Sequence, residues 1–355
     1  MDVATSGAID CDIHPAVRTT KDLVPYLDDY WREMRVLREL DRLDLMSYPA
    51  TIPLSGRLDW RPKAGNPGAD FEMLVEQALN HFDLRYAICN CIYGAQAVFD
   101  ENMAAAFCRA INDWLRVEWL DRDPRLRASI VLPAQNPDLA AAEIERLAGD
   151  QRFVQVLLLS RCDFPLGRKF YWPIYSAAAR YGLPVGIHAG GMFRHAPTQS
   201  GHPSYFIEDF AAESQAFAAQ LGSLVSEGVF TKFPELRVVL IESGVAWLPA
   251  MLWRFGKDWR GVRVEVPWVK EAPASIIRDH VRLTIQPLDA PPSSSDLLRL
   301  IEHIGSEDVL LFSTDYPHWH FDGDAVLPSL PEALLKKIQV DNPLATYPRL
   351  AEVIQ

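Results

Sequence analysis

Asp12 and His14 stand two apart in "IDCDIHP", His188 lies in "GIHAGG", Glu242 in "VVLIESG" and Asp315 in "FSTDYPHWH", each where an apolar stretch gives out. Carboxylates and imidazoles are donors that divalent cations of hard or borderline character accept, and a spacing of two along an extended chain turns both side chains to one face. The four segments are far apart in sequence, so only a fold that gathers strand ends can unite them. Gathered without a cation, the acids would repel one another in a site of low dielectric, and a divalent metal is the simplest resolution. Asp315 then ends its strand because it is a ligand, and with Glu242 it is the candidate for catalytic work. The bland alternative for Asp12 and His14 is a buried ion pair; the matching strand ends at His188 and Asp315 weigh against it.

The elements that must position these residues are legible as eight short runs rich in β-branched residues, at 8–15, 86–92, 127–133, 153–160, 183–190, 236–244, 281–287 and 309–317. Longer stretches with helical spacing separate them, which is the sign of βα units and a parallel sheet. Eight such units close a (β/α)8 TIM barrel, whose active site lies at the C-terminal ends of the strands. No G-x-G-x-x-G follows the first strand and no phosphate-loop motif occurs, so the nucleotide signals of an open sheet are missing. The spacing predicts a single barrel domain over 1–355, with 16–85 as a lid insertion after strand 1. Excursions rich in Trp, Phe and Arg follow strands 5 and 6, at 191–210 and 245–280.

With 355 residues and 49% hydrophobic content the chain can bury a large core. A net charge of −12 disfavours nucleic acid, which selects clustered Lys and Arg. No apolar run approaches the roughly 20 residues that span a bilayer, and the start lacks a signal-peptide pattern, so the expectation is a cytoplasmic protein without a membrane partner. Five cysteines at unpaired spacings read as buried thiols. The Trp-rich excursions suit a homo- or hetero-oligomer.

Four stretches, "IDCDIHP", "GIHAGG", "GVFTKFPELRVVLIESGVAWLP" and "STDYPH", resemble the amidohydrolase-related family of metal-dependent barrels, which includes aminocarboxymuconate-semialdehyde decarboxylase and the resorcylate-type decarboxylases. The resemblance spans most of the chain. It implies metal ligation by His14, His188 and Asp315, with Asp12 in the place of the family's first His or Glu. Two positions depart from it: Glu242 stands where the decarboxylases carry a histidine for proton transfer, and Val245 where the resorcylate-type relatives keep a glutamate.

Extra histidines, His195, His202, His318 and His320, fall close in sequence to the ligand positions. Glu242 with His202, His320 and His318 is enough for a second metal, and a thiolate-free donor set suits iron or manganese as well as zinc. That description resembles a branch of the same family with a dinuclear iron or manganese/iron centre that uses dioxygen. The favoured expectation is thus a dinuclear Fe or Mn/Fe monooxygenase hydroxylating a small carboxylic or amino-acid substrate. Lid arginines such as Arg57 or Arg61 would hold the substrate carboxylate, and a separate ferredoxin and reductase would supply electrons. The alternatives are a metal-dependent hydrolase or decarboxylase of a small carboxylate, and a zinc-binding non-catalytic subunit of a heteromer.

Overall fold

Each of the eight apolar runs contributes a strand: β1 (Ile9–Ile13), β2 (Tyr86–Cys89), β3 (Leu126–Val131), β4 (Phe153–Arg161), β5 (Val185–Gly191), β6 (Val238–Ile241), β7 (Val281–Thr284) and β8 (Leu310–Leu311). In this computed structural model, which describes residues 6–43, 48–49, 56–63, 65–191, 194–319 and 330–351, every strand pairs in parallel with the next, in the order β1 to β8. Backbone bonds from Cys11 N to the Phe312 carbonyl (2.9 Å), Asp315 N to the Asp12 carbonyl (3.1 Å) and His14 N to the Tyr316 carbonyl (2.8 Å) tie the chain after β8 back to β1. The sheet is a closed (β/α)8 barrel.

Helices cover its outside because the intervening segments carry apolar faces, and two of them begin on side-chain caps. Asp100 caps the helix Glu101–Leu115 by accepting from the amides of Asn102 and Met103, and Asn136 caps Pro137–Leu147 by accepting from Leu139 N. Helix Ser294–Ile304 stops at Gly305, which takes the left-handed conformation that only glycine adopts without penalty.

Two apolar layers result. The larger lies between sheet and helices; the smaller fills the barrel with Ile9, Cys11, Ile88, Leu157, Ile241 and Leu311, closed at its base by Tyr347 and Leu350. Ile13 breaks the alternation. Counting by twos from Ile9 and Cys11 would put it inside, yet it belongs to the outer layer. The pairing of β1 with β2 shifts register between Asp10 and Ile13, a bulge-type irregularity that re-aims the residues beyond it. Asp12 and His14 face inward because of that shift.

The insertion after β1 returns across the strand ends. Gly56 bridges to His318, Arg57 N donates to the Pro317 carbonyl (2.8 Å), and Ala16 N donates to the Gly68 carbonyl (3.0 Å). Gly68, at φ +76°, lies so close to the barrel that a Cβ there would meet the His14 carbonyl oxygen at 2.2 Å. No helix among the described residues is long and apolar enough to cross a membrane.

β5 supplies a test of packing inside the barrel. A Cβ on Gly186 would fall 2.9 Å from Gln155 Cδ and 3.0 Å from Ile241 Cδ1. Valine is the better strand former by up to about 1 kcal/mol, but overpacking costs about 1–3 kcal/mol. Gly186→Val should therefore destabilise the protein in chemical denaturation, and a midpoint that rises instead would show that the interior has room to spare.

Candidate metal centre

Six side chains from four segments meet at the C-terminal mouth of the barrel: Asp12 in β1 and His14 just beyond it, His188 from β5, Glu242 after β6, and Asp315 and His318 after β8. Within two overlapping groups, Asp12–His14–His188–Glu242 and His14–Glu242–Asp315–His318, one ligand atom from each residue lies within 4.8 Å of the others. His14 Nε2 is 3.2 Å from Asp12 Oδ1, 3.3 Å from Glu242 Oε1 and 3.0 Å from Asp315 Oδ1. His188 Nε2 is 3.5 Å from Glu242 Oε1 and 3.8 Å from Asp12 Oδ1.

Short polar anchors hold this arrangement. His14 Nδ1 donates to the Asn90 carbonyl (3.0 Å) and His188 Nδ1 to the Ala189 carbonyl (2.7 Å). Each bond fixes the tautomer and leaves the Nε2 lone pair facing the carboxylates. Neither Nε2, nor Asp12 Oδ2, has a hydrogen-bond partner although all are buried. Buried polar atoms are seldom left so, and a divalent cation among them satisfies lone pairs on nitrogen and oxygen together. The residues fit a metal ion.

Backbone strain marks the two other acids. Glu242 has φ 60° and Asp315 φ 56°, a region non-glycine residues seldom enter, at a cost of about 1–3 kcal/mol each. Glu242 N is held by Thr284 Oγ1 (3.0 Å). His318 Nδ1 lies 2.5 Å from Asp315 Oδ1 and 3.2 Å from Glu242 Oε1. Behind them Asp10 accepts from the amides of Asp12 (3.0 Å) and Thr314 (3.1 Å) and from the Thr314 hydroxyl (2.6 Å). That clamp holds the β1 irregularity and the approach to Asp315 together. Burial pushes the Asp10 carboxyl up to about 7, with the Thr314 bond pulling the other way.

Electrostatics inside the cluster follow from burial opposed by charge. Burial alone would lower the His318 imidazole, but Asp315 outweighs it and lifts the ring to about 9. The carboxylates around His14, Asp12 first among them, likewise overcome burial and raise it well above its ordinary value. Burial and Asp315 both push Glu242 upward, yet His188, His14 and His318 together hold it below the usual carboxylate range.

Of the residues singled out in the sequence, Asp12, His14, His188, Glu242, Asp315 and His318 come together. His202 does not: it is exposed at the surface, its ring 5.6 Å from that of Tyr48 and outside the ligand groups. His320 lies outside the described residues. His195 is exposed with Nε2 3.2 Å from the Asp163 carbonyl. The expectation of a separate second ligand set thus loses His202, and its other described members, Glu242 and His318, merge with the first. Sequence reasoning missed Asp10 and Asn90. The signal for Asn90 was present as a polar residue between two cysteines of an apolar run, where attention fell on the thiols. Cys89 and Cys91 are buried in the outer core, and burial lifts both, Cys91 to about 12.

A closed eight-stranded parallel barrel with carboxylates and imidazoles converging at its C-terminal mouth defines a metal-dependent barrel enzyme. The sequence profile of the amidohydrolase family matches residues 9–349, and the chain belongs to that family. It is 30% identical over 233 residues to gamma-resorcylate decarboxylase of Rhodococcus jostii, covering 62% of this chain and 69% of the relative. Among solved structures it is similar to 2,6-dihydroxybenzoate decarboxylase from Rhizobium, with a TM-score of 0.68 and 22% identity over 96% of this chain and 98% of that one. It is also similar to a dihydroxybenzoic acid decarboxylase from Polaromonas, solved with manganese and the inhibitor 2-nitroresorcinol, at a TM-score of 0.66 and 22% identity over 96% of each chain. These relatives overturn the expectation of a monooxygenase, since they are decarboxylases. The reason for invoking a ferredoxin and a reductase goes with it.

Linkage sets the sign of the pH dependence. His318 is raised in the fold to about 9 from an ordinary 6.5, so its contribution to stability is complete below 6.5 and is lost as pH climbs through 9. A cation needs the deprotonated imidazoles and acts oppositely. Thermal unfolding of metal-free protein should therefore show Tm falling between pH 6.5 and 9, and the Tm gain from added Mn²⁺ growing over the same interval. A gain independent of pH would argue against these imidazoles as the binding groups.

Proposed function

We propose that the protein is a manganese-dependent decarboxylase of a small hydroxylated aromatic carboxylate. The observation that carries the reading is the buried carboxylate–imidazole cluster at the barrel mouth of a chain whose family relatives decarboxylate dihydroxybenzoates. Asp12, His14, His188 and Asp315 would hold the ion, which supplies a positive charge that orients the substrate's oxygens. A cavity of about 460 Å³ adjoins the cluster through Gly56, which pairs with His318. Leu58, Phe206 and Trp319 give it apolar walls, and its polar edge is Arg61 with Arg57 ion-paired to Asp59; Arg61 is the side chain placed to meet the carboxylate of an aromatic acid.

Decarboxylation of such a ring needs one proton delivered to the carbon that bears the carboxylate. The C–C bond to the carboxylate then breaks, its electron pair returns to the ring, and CO₂ leaves. The Glu242–His318 pair is the group built to move that proton. On the family resemblance Glu242 stands at the position of the proton-transferring histidine, and His318, with Nδ1 3.2 Å from Glu242 Oε1, restores an imidazole from the loop after β8. Asp315 keeps that ring in place through the bond to Nδ1.

Purified protein loaded with Mn²⁺ should release CO₂ from benzoates bearing a hydroxyl ortho to the carboxylate, 2,6-dihydroxybenzoate among them. Glu242→Gln, assayed at saturating Mn²⁺ so that any loss of metal affinity is made up, should lose about 10²–10⁴-fold in kcat, the usual worth of a positioned acid or base. The absence of CO₂ release from every hydroxybenzoate tried with fully loaded protein would sink the reading, and a Glu242→Gln variant with full kcat would sink the role of Glu242.

A further inference from the structure

Three polar residues interrupt the apolar strand runs on the inner side of the barrel: Asn90 just beyond β2, Ser129 in β3 and Gln155 in β4, all fully buried. They form one connected group. Asn90 Oδ1 accepts from Ser129 Oγ (2.6 Å) and from Gln155 Nε2 (3.3 Å), and Gln155 Nε2 also donates to Ser129 Oγ (2.7 Å). With two donors on its oxygen, the amide must turn its nitrogen the other way. There Nδ2 donates to Asp12 Oδ1 at 2.8 Å and to the Cys11 carbonyl at 3.4 Å.

The main chain of Asn90 is equally occupied. Its N–H donates to the Ile13 carbonyl (2.8 Å) and its carbonyl accepts from His14 Nδ1 (3.0 Å). A buried amide with all its donors and acceptors engaged does not flip or rotate without breaking several bonds at once. The chain also makes room for this group: the missing side chain at Gly186 is what lets Gln155 reach inward, since a Cβ there would stand 2.9 Å from Gln155 Cδ.

We infer that Asn90, oriented by Ser129 and Gln155, is a positioning residue of the cation site: it sets the plane of the Asp12 carboxylate and the tautomer of His14 at once. Asp12 cannot turn about its Cβ–Cγ bond without losing a hydrogen bond to an ionised group, which is stronger than one between neutral groups. His14 cannot move its proton to Nε2 while the Asn90 carbonyl holds Nδ1–H. One residue thereby presents two ligands from the same strand at a fixed mutual angle. This role requires only that the site hold a cation, whatever reaction it serves, so the failure of decarboxylation would leave it standing.

Mn²⁺ dissociation constants measured by chelator competition on metal-free protein test it without recourse to activity. Asn90→Leu keeps the bulk and loses the side-chain hydrogen bonds; affinity should fall about 10–100-fold, the usual effect of removing a group that orients a metal ligand. Ser129→Ala leaves Gln155 to orient the amide and should cost a smaller, measurable part of that loss. Asn112→Leu separates positioning from general damage, because Asn112 is also fully buried but bonds Val131 and Glu143 in the outer layer. It should lower Tm and leave the dissociation constant within about twofold. An unchanged constant in Asn90→Leu, or an equal loss in Asn112→Leu, overturns the inference. If Asn90→Leu does not fold, an unchanged constant in Ser129→Ala overturns it.

Discussion

Three carboxylates crowded against three imidazoles in a space that water barely reaches impose the condition on which the rest of this structure depends. Removing an ionised carboxylate from water costs several kcal/mol even after the protein relaxes. Protons on the imidazoles return part of that, and the raised values of His14 and His318 record it. A proton serves one lone pair, however, and His14 Nε2 faces oxygens of Asp12, Glu242 and Asp315 simultaneously. A divalent charge at that point serves them all. The barrel accordingly spends order elsewhere to keep the donors aimed: the register shift in β1, the Asp10 clamp, and the left-handed backbone at Glu242 and Asp315.

Strain at Glu242 and Asp315 is informative because glycine would relieve it and could not replace it. Both positions close a strand, and the positive φ turns the side chain off the strand's course toward the axis. The loss of regular pairing is visible in β8, which is only two residues long before the chain becomes irregular. The sheet does not open there because the segment from Phe312 to Tyr316 still exchanges backbone bonds with β1. Closure and ligand presentation thus use the same few residues, and "STDYPH" reads as neither strand nor turn.

That coupling explains what was legible in the sequence. Eight apolar runs of strand length gave the barrel, because strands covered on both faces show little else, and the polar residues that stop those runs gave Asp12, His14, His188, Glu242 and Asp315. Orientation was less legible. The i, i+2 spacing of Asp12 and His14 suggested a common inward face, and they have it, but through an irregularity that carries Ile13 to the other side. His202 was close in sequence to a ligand and not in space, since a loop after β5 has no period from which direction can be read. Asn90 was hidden for the opposite reason. It looks like one polar residue in a strand until its partners on β3 and β4 are seen beside it. The chemistry was the least legible of all: counting histidines suggested a second metal and oxygen, whereas among the described extra histidines His318 alone joins the cluster.

On the decarboxylase reading, the exchange of a histidine for Glu242 has a structural logic. A carboxylate on β6 cannot alone serve as a proton donor near neutral pH when three imidazoles hold it below its ordinary range. It can orient and recharge an imidazole, and His318 stands within hydrogen-bond reach while bonded to Asp315 as well. The proton-bearing ring then arrives from the loop after β8 and not from β6, beside the insertion that lines the adjoining cavity. Gly56 of that insertion pairs with the backbone of His318, so the cavity-lining segment and the proton-bearing residue share a main-chain contact. On this reading substrate binding beside the insertion and proton delivery from His318 meet at that contact, an arrangement that a histidine fixed on the barrel strand would not share.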